Sequence, residues 1–74
     1  MRRLGSIMTY DPEMDRWIIG TKDQAYGLHC GDCFQLSIGN QCVPCRIEMD
    51  WQWYIVMGNT RLNLRVQETY SVVI

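Results

Sequence analysis

The residues in this chain whose spacing most directly suggests chemistry are its four cysteines. They fall as Cys30-Gly31-Asp32-Cys33 and Cys42-Val43-Pro44-Cys45, two Cys-x-x-Cys units with eight residues between them. Four thiolates can hold a tetrahedral zinc ion, and a structural metal supplies folding energy that a small domain otherwise lacks. Two features count against that use. The interval is shorter than the roughly 15–20 residues of common zinc ribbons. Neither second cysteine is followed by glycine, since Phe34 follows Cys33 and Arg46 follows Cys45. A thioredoxin-like redox role needs a βαβ context and a helix N-terminus to lower the thiol pKa. The sequence therefore predicts reduced, mostly buried cysteines and no cofactor. A four-cysteine zinc site at Cys30, Cys33, Cys42 and Cys45 is the alternative.

Other residue types offer less. His29, the single histidine, adjoins Cys30. Neighbours in an extended chain point apart, so a loop histidine is expected and not a Cys–His pair. Asp11, Glu13 and Asp15 lack the glycine and terminal glutamate of an EF-hand loop, and a solvated turn is the simpler reading. No phosphate loop, nucleophile elbow or dinucleotide fingerprint is present, which argues against an enzyme. The aromatics are richer. Trp17, Trp51, Trp53, Tyr54 and Tyr70 could line a ligand groove, and Trp51 and Trp53, two apart, would share a face of an extended chain. The competing assignment puts Trp53 or Tyr54 in the core, with Trp51 capping it. Arg46, Arg61 and Arg65 could form a modest basic patch beside them, suited to single-stranded nucleic acid. Eight acidic against seven basic residues, a net charge of −1, weaken that reading.

These side chains must be positioned by short strands. Nowhere do apolar residues recur at i, i+3, i+4, i+7, so little or no helix is expected. Residues 4–10 and 16–21 read as a hairpin closed by the Asp11–Asp15 turn, with Leu4, Ser6, Met8 and Tyr10 on one face. Residues 22–32 read as irregular, pinned by Tyr26 and Leu28. Residues 34–38 and 41–50 flank Gly39-Asn40, a strong two-residue hairpin signal that pairs Ile38 with Gln41, Ser37 with Cys42 and Phe34 with Cys45. In that register Cys42 and Cys45 point to opposite faces. Residues 53–57 form the most apolar strand, 60–68 a less regular stretch, and 69–74 a last strand expected beside the first.

The chain has 74 residues, 47% of them hydrophobic and 20% charged, which fits one folded domain over residues 1–74 and not a disordered tail. Strands at this spacing predict an all-β fold, a single small SH3-like barrel of about five to six antiparallel strands. Arg2 and Arg3 are followed by no apolar run of ~7–15 residues, and no stretch approaches the ~20 needed to span a bilayer. A cytoplasmic, non-membrane protein is expected, consistent with reduced thiols.

Four stretches resemble a small uncharacterised domain family of low-GC Gram-positive bacteria and their conjugative elements, plasmids and prophages. They are Tyr26-Gly27-Leu28-His29-Cys30-Gly31-Asp32, Phe34-Gln35-Leu36, Val43-Pro44-Cys45-Arg46-Ile47-Glu48 and Trp53-Tyr54-Ile55-Val56. Arg61-Leu62-Asn63-Leu64-Arg65 extends the likeness, which covers residues 26–74. The resemblance implies an accessory protein of a mobile element and assigns no chemistry. It does not require cysteines at positions 33, 42 and 45, which lowers the case for zinc. It makes Arg46 and Glu48 candidates for an ion pair or a shared surface. The function expected is a non-enzymatic binding module for a protein partner. Its candidate residues are Trp51, Trp53, Arg46, Glu48, Arg61 and Arg65. Nucleic-acid binding, through Trp51, Trp53, Arg61 and Arg65, is the alternative.

Overall fold

The computed structural model describes residues 5–21 and 23–74; Leu4, expected in the first strand, and Lys22 lie outside the described residues. Eight strands follow one another: β1 (Ser6–Asp11), β2 (Arg16–Gly20), β3 (Ala25–Gly27), β4 (Cys33–Ile38), β5 (Gln41–Met49), β6 (Trp53–Met57), β7 (Thr60–Asn63) and β8 (Tyr70–Val73). All belong to one antiparallel sheet of order β3-β2-β1-β8-β4-β5-β6-β7, and no helix occurs among the described residues. The all-β expectation holds. The strands outnumber the five or six expected, and among the described residues the hydrogen-bonded order ends at two edges, β3 and β7, where closure was expected.

Of the extra strands, β7 falls in the stretch expected to be less regular, and β3 in the stretch expected to be irregular. The three residues of β3, Ala25, Tyr26 and Gly27, are all exposed. Two of them have poor strand propensity, so nothing local marks it. Pairing creates it. Gly27 lies opposite Ile18 and Tyr26 opposite Ile19. Arg16 then donates from Nη1 to the Leu28 carbonyl at 2.8 Å, fastening the end of the strand to β2.

Elsewhere turn chemistry sets register as expected. Gly39 and Gly58 take φ of 58° and 59°, each at the first central position of a two-residue turn followed by Asn. That position favours glycine because a Cβ is strained there. The β4–β5 pairing is the expected one, Ile38 with Gln41 through Phe34 with Cys45. The β1–β2 ladder runs one step further than expected, to Asp11 opposite Arg16, leaving Pro12–Asp15 as the turn. The last strand does lie beside the first, with Ser6 opposite Val72. Pro44 sits within a long internal strand without breaking it. Ile47 donates toward β4, to the Asp32 carbonyl, so even-numbered amides of β5 face β6. Pairing with β6 reaches only back to Arg46, so the donor that Pro44 lacks has no partner to lose.

One face of the sheet buries Met8, Trp17, Ile19, Phe34, Leu36, Cys45, Ile47, Trp53, Ile55 and Val72, together with Leu28 and Leu64 from the loops. The sheet must curl to enclose them. From β2 to β6 is five strand spacings, about 24 Å in a flat sheet. Yet Asp15, at the start of β2, lies within 3.5 Å of Trp53 Nε1 at the start of β6.

The sheet also has an internal two-fold order. Exchanging β1–β4 for β5–β8 returns the same strand order read from the other edge. Trp17 and Trp53, Ile19 and Ile55, Leu28 and Leu64, Asp32 and Glu68, and Leu36 and Val72 are each 36 residues apart. Leu28 N donates to Trp17 O at 2.8 Å and Leu64 N to Trp53 O at 2.9 Å; Asp32 N donates to His29 O and Glu68 N to Arg65 O, both at 3.0 Å. Leu36 and Val72 face each other at the centre, where β4 meets β8. The halves diverge at β1 and β5, which have six and nine residues.

Candidate interaction surface

The turn between β5 and β6 is built around one carboxylate. Asp50 Oδ1 accepts from the backbone amide of Trp51, and from that of Gln52 at 3.2 Å, while its own N–H donates to Gln52 O. Asp50 Oδ2 takes Arg61 Nη2 at 2.9 Å. The Gln52 amide above all, with Arg61 and the Trp51 amide, holds the Asp50 carboxyl below its ordinary pKa. Arg61 is itself braced. Its guanidinium lies 3.7 Å from the centre of the Tyr54 ring, and its Nε donates to Asn63 Oδ1 at 3.0 Å. Strand pairing explains why these meet, since Tyr54 lies opposite Asn63 and Val56 opposite Arg61.

This network holds the turn that carries Trp51, whose side chain packs on nothing and is 98% exposed. Trp51 therefore does not cap the core. An indole left wholly in water is unusual, because aromatic side chains dominate core and interface energetics. On the outer face of β5, Arg46 Nε pairs with Glu48 Oε2 at 2.7 Å. The ion pair implied by the family resemblance is present.

The other candidates separate. Trp53 is 7% exposed and packs in the core, so it offers no surface. Trp17 is fully buried between Tyr10 and Tyr70, each with ring centres 5.6 Å away. Tyr54 and Tyr70 are half-buried, so the expected five-residue aromatic groove does not form. Arg65 is exposed in the loop after β7, where its backbone amide donates to Tyr70 Oη at 2.9 Å. The basic patch is not a field of free cations, since Arg46 and Arg61 are each matched by a carboxylate.

The cysteines also separate. β5 runs straight through Cys42-Val43-Pro44-Cys45, leaving Cys42 exposed and Cys45 buried on opposite faces. Three of the four are exposed, where mostly buried thiols were expected. Cys30 lies in the turn that ends when Asp32 N donates to His29 O, with Gly31 at φ 93°. His29 is exposed beside Asp32, whose Oδ2 accepts from its backbone amide at 2.8 Å. Among the described residues, no three metal-ligating side chains converge. An open groove of about 420 Å³ lies between Cys33, Gln35, Pro44, Val73 and Ile74, with no cluster of charged groups.

Sequence reasoning missed the β1–β2 turn as part of this surface. Asp15 reaches the Trp53 indole, so the β1–β2 turn meets β6 just beyond the Asp50–Gln52 turn. Contact between segments so distant in sequence has no local signal.

The fold is similar to the crystal structure of a structural-genomics target protein from Ruminococcus gnavus. The TM-score is 0.78 at 34% identity, over 96% of this chain and 100% of that one. No curated protein matches the chain. The family model for a domain of unknown function, DUF5348, matches residues 6–74, and the chain belongs to that family.

Proposed function

We propose that this domain is a non-enzymatic binding module that engages a protein partner through the Trp51 turn. The observation that carries this reading is a tryptophan 98% exposed on a turn held by five polar contacts to Asp50 and Arg61. Interface hot spots are enriched in Trp, Tyr and Arg, and ordering them in advance lowers the entropic cost of binding. The curled sheet serves as a rigid scaffold of the small-barrel, SH3-like kind. We place the protein in the cytoplasm as an accessory factor of a mobile element, following the resemblance to the family and the unpaired cysteines. Nucleic-acid binding is the weaker reading, because Arg46 and Arg61 are already neutralised.

The test is a photo-crosslinking side chain at position 51, expressed in the source cell, with the same probe at exposed Gln67 as control. The expected product is an adduct specific to position 51 that protease removes and nuclease does not. A nuclease-sensitive adduct, or equal labelling from positions 51 and 67, overturns the reading. Trp51→Ala should fold normally, within about 0.5 kcal/mol of the parent, as for surface substitutions generally.

A further inference from the structure

The charge around Trp51 identifies the kind of protein surface it fits, given that it binds a protein at all. The β1–β2 turn meets the start of β6, two residues beyond Trp51, because Asp15 reaches the Trp53 indole and also accepts from the Tyr10 hydroxyl. Met14, in the β1–β2 turn, is 58% exposed, and Met49, opposite Trp53 at the end of β5, is 42% exposed. The carboxylates are unevenly answered. Glu48 and Asp50 are paired one to one with Arg46 and Arg61. Asp11, Glu13 and Asp15 have no ion pair among the described residues. Arg16 faces Asp11 across the hairpin, but its guanidinium turns to the Leu28 carbonyl at the far side of β2.

Among the described residues this turn therefore carries three carboxylates, Asp11, Glu13 and Asp15, that no ion pair answers, in a chain whose total charge is −1. A ring face and a negative field both favour a cation, through the quadrupole of the indole and through direct attraction. The same field repels phosphates. Within the molecule, Arg61 over Tyr54 already shows the arrangement, a guanidinium on an aromatic face with a carboxylate beside it.

We propose that the partner presents a basic segment. One Arg or Lys side chain stacks on Trp51, and neighbouring cations meet Asp11, Glu13 and Asp15. This rests on the protein-binding reading and narrows it.

The experiment titrates the intact protein with a capped nonapeptide of alternating Arg and Ser, and with its Glu-for-Arg counterpart. The readout is the red, solvent-exposed part of the tryptophan emission that is lost in Trp51→Ala, since Trp17 and Trp53 are buried and emit further to the blue. The Arg peptide should bind and perturb the emission, and the Glu peptide should not. An Asp11→Asn/Glu13→Gln double variant should weaken binding about tenfold at low salt, and Trp51→Ala, followed by peptide anisotropy, by at least as much. Asn at position 11 can still accept the turn amides of Glu13 and Met14, so that variant keeps the fold. Equal binding of both peptides overturns the proposal, as does Arg-peptide binding indifferent to these substitutions. If the Arg peptide fails while position 51 still crosslinks to a protein, the basic partner alone is overturned. If both fail, the module reading falls with it.

Discussion

Cys45 shows how much one buried atom decides. It faces the core opposite Phe34, and burial pushes its thiol up from 9.0 to about 11. Ionisation is then easier in the unfolded chain than in the folded one. The stability this burial protects is complete below pH 9 and is lost as pH rises from 9 toward 11. Unfolding titrations across that range should show stability falling, and Cys45→Ala should flatten the fall. Thiol labelling gives an independent check. Cys30, Cys33 and Cys42 are exposed and should react quickly, while Cys45 should wait for unfolding. Four equal rates would mean that the β5 register is wrong. The sequence allowed this much to be read in advance, because Gly39-Asn40 sets the register and period-two alternation then separates Cys42 from Cys45. The exposure of Cys30 and Cys33 was not readable, since it depends on a turn and a strand start that no periodicity marks.

At the scale of the element, the β5–β6 turn couples a charge to a surface. Gln52, Arg61 and Trp51 all favour the ionised Asp50, so its contribution is present above the usual carboxylate pKa of 3.8 and is lost as pH falls below it. Trp51 should therefore gain mobility under acid before the core melts. Time-resolved anisotropy should show a faster Trp51 component only once the pH has fallen below 3.8, through the lowered Asp50 pKa, and Arg61→Ala should produce the same component at neutral pH. An unchanged anisotropy in both would show that the turn holds itself without the network. The residues of this element were legible as candidates, because aromatics and arginines at a strand end stand out. Their assignment to inside or outside was not. Trp51 and Trp53 are two apart, and strict alternation would put them on one face. The Asp50-centred turn breaks that alternation before β6 begins, sending one into water and the other into the core. β3 was illegible for a different reason, since its backbone pairing supplies the order that its side chains lack.

For the whole molecule, the two-fold order explains why so short a chain can hold a continuous core. Its halves interlock: β8, from the second half, lies between β1 and β4 of the first. Neither half can keep its sheet if the other opens. The repeat was hidden in the sequence because β1 and β5 differ in length, and only a few buried anchors keep the 36-residue spacing. Leu28 and Leu64 are one such pair, 6% and 4% exposed, each closing its half by donating to a tryptophan carbonyl. Either Leu→Ala change should cost about 2–5 kcal/mol. That rivals the ~3–5 kcal/mol that a core of this size rarely exceeds, so a milder Leu→Val is the more informative variant. Interlocking predicts that Leu28→Val lowers hydrogen-exchange protection of the Leu64 amide as much as that of Leu28 itself, and Leu64→Val the reverse. Protection lost only in the mutated half would mean that the halves open separately. The rigidity of the shared scaffold behind the Trp51 turn would then have to come from β5–β7 alone.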